Sequence, residues 1–284
     1  MKVLVLGASG MLGNAMLRVL SEKEGWEVFG TVRSGGAARL FSPGVAEHLL
    51  AGVDVENHDA LIKLFSQIRP DVVVNCIGLV KQLAESDDPL LAIPINSLLP
   101  HRLSRLSDLV GARFVHMSTD CVFSGKHGGY RESDPSDAKD LYGRSKFLGE
   151  VDYPHALTLR TSIIGHELQG ARSLIGWFLS QKWQCKGFRK AIYSGLPTVV
   201  LAQLVRDVII PRTELSGLYH VASRPISKYD LLCLVAKIYG KSIQIIPDDL
   251  LEIDRSLNAD RFREATGYVA PEWPELIKIM HSYQ

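Results

Sequence analysis

The chain has 284 residues, 46% hydrophobic and 22% charged, with a formal net charge of +1; that length suits one large α/β unit or two closely joined lobes. Near-neutral charge excludes a global basic field, so neither nucleic acid nor an anionic membrane is expected as partner, and no apolar run approaches the roughly 18 residues of a membrane helix. Cys76, Cys121, Cys185 and Cys233 form no CxxC pair and the nine histidines no HExxH, so the expectations are a cytoplasmic protein, no disulfide framework and no metal.

Lys2 to Leu6 opens the chain with the short apolar run of a strand buried on both faces. Gly7, Gly10 and Gly13 follow in GxxGxxG spacing, and Met16, Leu17 and Leu20 continue as a helical pattern. Strand, glycine loop and helix in that order bring backbone N–H groups and a helix N-terminus against a pyrophosphate. Gly7, Ser9, Gly10, Met11, Leu12 and Gly13 are therefore assigned to a dinucleotide coenzyme. A second strand, about Glu27 to Val32, leads to Arg33 and Ser34, where an NAD site commonly carries an acid. The acid is missing. Arg33 and Ser34 are expected to favour the 2′-phosphate of NADP(H) over NAD(H), the alternative being a surface arginine past a strand.

Asp54 and Val55 belong to a third strand–helix unit and are placed near the adenine; its helix is capped at Asn57 and closes before Pro70. Asp71 to Gly78 reads as a fourth buried strand whose end, Cys76, Ile77 and Gly78, falls at the carboxyl edge of the sheet, against the coenzyme. A helix from about Ser97 to Val110 follows, with Asn96 before it as a cap or as a polar group facing the site.

The next strand, Phe114 to Met117, ends at Ser118 and Thr119, and a glycine-rich loop leads to a helix carrying Tyr142 and Lys146. Four residues apart, these two side chains share a helix face. A Lys ammonium beside a phenol stabilises the phenolate and is expected to draw its pKa down from about 10, making Tyr142 a proton donor. Thr119 would hold the oxygen being protonated. Tyr-x-x-x-Lys alone is a weak signal; the glycine loop supplies its context. With a strand from Leu157 to Thr161, the alternation predicts an α/β protein: a doubly wound parallel sheet (Rossmann) with a smaller C-terminal substrate lobe.

The expected division is a dinucleotide-binding domain over 1–165 and a substrate-binding lobe over 166–284, with part of 193–223 returning to the first. The lobe reads as a helix from Ser173 to about Trp183, a helix from Leu201 to Ile210, a strand from Gly217 to Ala222 and a helix capped by Ser227 and ended by Gly240. Trp177, Trp183 and Arg189 either contact a nucleotide or serve the core.

Taken together these segments resemble the extended short-chain dehydrogenase/reductases and, within them, the dTDP-4-dehydrorhamnose reductase family. Gly7 to Gly13 is similar to that family's phosphate loop, Ser118 to Phe123 (STDCVF) to its STDYVF segment, Tyr130 to Asp134 to its Y-x-E-x-D loop, and Tyr142 to Glu150 (YGRSKFLGE) to its YGxSKxxGE helix. Arg160 to Ser162, Gly195 to Thr198, Gly217 to His220 and Arg255 to Leu257 resemble its later segments. The resemblance implies an NAD(P)H-dependent reductase of the 4-keto group of a nucleotide-linked deoxysugar, with Thr119, Tyr142 and Lys146 as catalytic trio, in surface polysaccharide precursor synthesis.

Departures from the pattern fall where the family meets its sugar. Cys121 replaces Tyr, Lys81 and Gln82 replace the usual residues after the fourth strand, and Arg255 directly precedes Ser256. Lys81, Asp120, Cys121 and Arg255 are the substrate-side candidates. The substrate is left open between the dTDP-linked rhamnose precursor and a UDP-2-acetamido-2,6-dideoxy-hexulose. The alternatives to a reductase are a sugar-nucleotide epimerase and a non-catalytic nucleotide-binding partner subunit; a homodimer is compatible with each.

Overall fold

Seven parallel strands form the central sheet, in the spatial order Gly217–His220, Ala156–Thr161, Arg113–Thr119, Val72–Asn75, Lys2–Leu6, Glu27–Val32 and Leu49–Ala51. This is a computed structural model, and it describes residues 1–80 and 84–283. From Lys2–Leu6 the chain builds outward first to one edge and then, from Val72–Asn75, to the other. The loops leaving these two strands therefore part company, and a crevice opens at their carboxyl ends. The α/β class and the doubly wound parallel sheet are as predicted.

Each face of the sheet has its own core, because side chains alternate along a strand. Val3 and Val5 pack with Met16 and Leu20 of the helix Met11–Ser21, while Leu4 and Leu6 pack with Leu61 and Phe65 of His58–Ile68 and with Leu103 of Leu99–Leu109. Val3 to Leu6 are fully buried, which is why that stretch is apolar at consecutive positions.

Several boundaries differ from the sequence reading. The helix predicted from Ser97 begins earlier: Pro89–Ala92 is α-helical, Ile93–Leu98 makes a π-type turn, and Leu99–Leu109 follows. Ala92 and Leu98 both keep right-handed helical backbone, so the run from Pro89 is continuous and Pro94 and Pro100 lie inside it; the π-type turn, in which Leu99 N–H reaches the Pro94 carbonyl, shifts the hydrogen-bond register between these two prolines, neither of which can donate. The helix capped by Ser173 is shorter than expected, Leu174–Ser180. The one expected from Leu201 starts at Thr198, and π-type geometry continues it through Val205–Ile209. It packs on Met11–Ser21, and Gly217–His220 adds to the sheet beside Ala156–Thr161, Gly217 opposite Leu157 and His220 opposite Arg160.

The remaining C-terminal elements are short. Ile226–Ser227 pairs antiparallel with Ala191–Tyr193, which pairs in parallel with Ile253–Asp254. Gln184–Phe188 pairs in parallel with Gln244–Asp248. The helix Lys228–Ile238 packs beside them, with Ser227 Oγ accepting the Asp230 N–H at 3.0 Å as its cap. All four cysteines are free thiols, and among the described residues no helix is long and apolar enough to cross a membrane.

Candidate active site

The glycine loop is fastened to the end of the second strand. Gly7 has φ of 83°, a conformation that costs glycine nothing, and its N–H donates to Thr31 Oγ1 at 3.1 Å. Ala8 N–H donates to the Thr31 carbonyl at 2.9 Å and Gly10 N–H to the Gly7 carbonyl at 3.0 Å. A Cβ on Gly13 would lie 2.0 Å from the Gly7 carbonyl oxygen, so only glycine lets the helix sit this close to the loop. Gly10 caps Met11–Ser21 without a side-chain hydrogen bond, leaving the helix N-terminus open to an anion.

A cleft of about 580 Å³ lies over this terminus. Ser9, Gly10 and Met11 bound it on one side, Arg33, Ser34 and Arg39 on another, and Arg172 reaches it from the C-terminal half. Backbone donors with three guanidinium groups suit a phosphorylated dinucleotide. Leu12 is buried behind the loop in the core. Asp54, exposed, accepts the Glu56 N–H at 3.0 Å, and Val55 rests against the second core.

At the ends of the central strands the fold gathers the three residues assigned to catalysis. Thr119 closes Arg113–Thr119; its Oγ1 accepts the Cys121 N–H at 3.1 Å, and its side chain acts on the Tyr142 phenol. Tyr142 and Lys146 belong to the helix Leu141–Leu148, capped by Asp140, whose Oδ1 accepts the Gly143 N–H at 2.7 Å. Lys146 is 5% exposed, and its Nζ donates to the Met117 carbonyl at 2.8 Å. A Cβ built on Gly78 would stand 3.7 Å from that Nζ, so the end of the fourth strand passes directly beside it. Asn96 ties the two together: its Oδ1 accepts the Leu79 N–H at 2.9 Å and its Nδ2 donates to Ser145 Oγ at 3.2 Å. Of the two roles read for Asn96, the side chain takes the one facing the site.

The electrostatics correct one expectation. Tyr142 is held above the ordinary phenol pKa, first by burial and then by Cys121, with the Thr119 hydrogen bond opposing. Desolvation therefore outweighs the lowering that Lys146 was expected to bring. Burial also lowers Lys146, to about 8, against the opposing charges of Glu150 and Cys76, and raises the Cys76 thiol to about 12. A phenol that stays protonated at neutral pH is suited to giving a proton to a forming alkoxide. The charged form of Lys146 predominates below its pKa, so kcat/KM for reduction is expected to fall as pH rises through about 8. A pH–rate profile that stays flat well above that value would contradict the role given to the ammonium.

Of the residues expected to meet the substrate, Asp120 is 7% exposed and its pKa is raised by burial, against the lowering effects of Arg255 and of hydrogen bonds from Cys121, Thr119 and Ser162. Arg255 is fixed by Nε donating to the Phe123 carbonyl at 2.8 Å. Asp120, Cys121 and Arg255 thus meet beside Thr119; Lys81 and Gln82 lie outside the described residues. Trp183 is 85% exposed and Arg189 is engaged in an ion pair with Asp249, so neither serves the core.

Two features escaped the sequence reading. One is the ion pair behind the trio: Glu150 accepts from Arg160 Nε and Nη2, both at 2.7 Å, and from Ser118 Oγ at 2.6 Å. The other is Lys228, half-buried at the start of Lys228–Ile238, whose charge interacts with Asp120, Cys121 and Arg255. A signal for it was present, since a cation in the first turn opposes the helix dipole and needs another reason to be there.

Residues 1–248 match the family model described as RmlD substrate binding domain. Among curated relatives, the chain is 28% identical to a probable low-salt glycan biosynthesis reductase, Agl14, of Haloferax volcanii, over 93% of this chain and 87% of that one. It is 30% identical to the spore coat polysaccharide biosynthesis protein SpsK of Bacillus subtilis, over 86% of this chain and 82% of the relative. The fold is similar to the crystal structure of dTDP-4-dehydrorhamnose reductase from Bacillus anthracis in complex with NADP, with a TM-score of 0.81 and 20% identity, covering 100% of this chain and 99% of that one.

Proposed function

Because the chain belongs to the RmlD substrate binding domain family, we propose that it is an NAD(P)H-dependent reductase of the 4-keto group of a nucleotide-activated 6-deoxysugar, serving polysaccharide precursor synthesis. The observation that supports this most is the convergence of Thr119, Tyr142 and Lys146 beside the strand ends that also carry the glycine loop. Bound NAD(P)H supplies a hydride to C4 of the sugar. Thr119 orients the carbonyl oxygen and Tyr142 gives it the phenolic proton. Lys146 stabilises the phenolate that results and holds the nicotinamide ribose, while Gly78 leaves room beside it. In this reading 1–165 hold the coenzyme and 166–284 cover the sugar, with 198–220 returning to the sheet.

The coenzyme is read as NADPH in preference to NADH, because Arg33 and Ser34 border the cleft where a carboxylate would serve NADH. A guanidinium pairs with phosphate through charge-assisted hydrogen bonds worth about 1.5–3 kcal/mol each. Arg33→Ala is therefore expected to weaken NADPH about tenfold or more and leave NADH almost unchanged. Equal losses for both coenzymes, or none, would reduce Arg33 to a surface residue.

For the sugar, Cys121 in place of the family's Tyr favours a UDP-2-acetamido-2,6-dideoxy-hexulose over the dTDP-linked rhamnose precursor. The test is NADPH consumption against a panel of dTDP- and UDP-linked 4-keto-6-deoxy sugars. Turnover of one or more is expected, with the acetamido UDP-sugar best. A panel that is inert throughout contradicts the reductase, and a better dTDP-sugar contradicts the finer assignment alone.

A further inference from the structure

The three-stranded sheet of the C-terminal half delivers two cations to one point. Ile226–Ser227 and Ile253–Asp254 flank Ala191–Tyr193, with Ser227 and Asp254 both opposite Ile192. The residues that leave these two strands are Lys228 and Arg255. Asp254 N–H donates to the Gly125 carbonyl at 2.8 Å and Arg255 Nε to the Phe123 carbonyl at 2.8 Å, so this sheet is hydrogen-bonded onto the segment that follows Asp120 and Cys121.

Lys228 and Arg255 thus bring two positive charges to the single carboxylate of Asp120. The surplus is positive whether Asp120 is ionised or not. Among the described residues the Lys228 ammonium makes no hydrogen bond or ion pair, although it is half-buried. An ammonium partly removed from water without a hydrogen-bonding partner is costly. Burial and Arg255 both lower its pKa, while Asp120 and Cys121 oppose them. The position at the head of a helix, where the dipole also disfavours a cation, adds to that cost.

We propose that Lys228 is a substrate-binding residue whose ammonium, together with Arg255, pairs with the diphosphate of the nucleotide sugar. The inference rests on the sugar-nucleotide reading above and adds a contact to it. A hexose ring offers hydroxyl groups, which hydrogen bond but do not neutralise. The diphosphate bridge carries two negative charges and lies one sugar ring away from the C4 carbon that faces Thr119 and Tyr142. It is the part of such a substrate that matches a surplus of positive charge beside Asp120.

Calorimetric binding of UDP and dTDP to the full chain tests this, with Lys228→Ala and Lys228→Arg compared with wild type and NADPH binding as the control. Lys228→Ala is expected to weaken the tighter of the two nucleotides about tenfold or more. Lys228→Arg, which keeps the charge, should recover most of that loss, and NADPH should bind all three proteins alike. Unchanged nucleotide affinity in Lys228→Ala overturns the proposal, as does a loss that NADPH shares, which would mark a structural role. Wild-type protein that binds neither nucleotide overturns it together with the sugar-nucleotide reading, whereas a loss of affinity confined to Lys228→Ala supports both.

Discussion

Replacing Tyr142 by Phe is expected to lower kcat about 10²- to 10⁴-fold, the range for a lost general acid, while the Kd for NADPH stays near wild type. The ring is kept, the Asp140 cap of its helix is untouched, and Lys146 retains its bond to the Met117 carbonyl at 2.8 Å. Only the phenolic hydroxyl goes. The Asp120 carboxyl, whose charge is felt by the phenol, is already engaged, accepting from Thr119 Oγ1 at 3.2 Å. Lys146→Ala should instead lose turnover and coenzyme affinity together, because one ammonium is assigned to both groups. Steady-state kinetics with coenzyme titration separates the two patterns, and wild-type turnover in Tyr142→Phe would remove the residue from the chemistry.

A comparable effect on stability is expected behind the site. The Arg160 and Glu150 side chains are only 3% and 10% exposed, and their contact is bidentate. Glu150→Ala leaves the guanidinium buried without its carboxylate, which typically costs about 3–5 kcal/mol. His220, 3.3 Å from Arg160 Nη1, cannot take over, because an imidazole supplies no negative charge; burial and the Arg160 charge hold its pKa down to about 3 and keep it neutral. Ser118 would also lose its acceptor. Denaturant unfolding should show this loss in the single variant and a smaller one in Glu150→Leu with Arg160→Met, which removes both charges. A loss below about 1 kcal/mol for Glu150→Ala would mean that water reaches the arginine.

Local order explains what the sequence made legible. The glycine loop is read correctly because strand, turn and helix follow one another within Lys2–Ser21, and the Gly13 contact with Gly7 spans six residues. The Asn57 cap and the Ser227 cap are likewise local. Distance along the chain hides the rest. Lys228 meets Asp120 only because strands of two and three residues, too short to show any periodicity, bring three segments together. The raised Tyr142 pKa is also invisible from spacing, since four-residue separation specifies a shared helix face and says nothing of burial. The Arg160–Glu150 pair joins a strand to the end of a helix and depends on Gly217–His220 returning to cover it.

Net reduction is the central claim, and it separates a reductase from an epimerase that keeps its coenzyme and from a non-catalytic subunit. The direct measurement is the fate of the transferred hydrogen, with NADPH deuterated at nicotinamide C4 and a 4-keto-6-deoxy nucleotide sugar that the protein turns over. A reductase places one deuterium at sugar C4 for each NADPH consumed, on the correct face of the ring, and leaves free NADP⁺. Sugar that is altered without consuming NADPH or acquiring label, or NADPH that binds and is never oxidised by any sugar on the panel, would contradict the account.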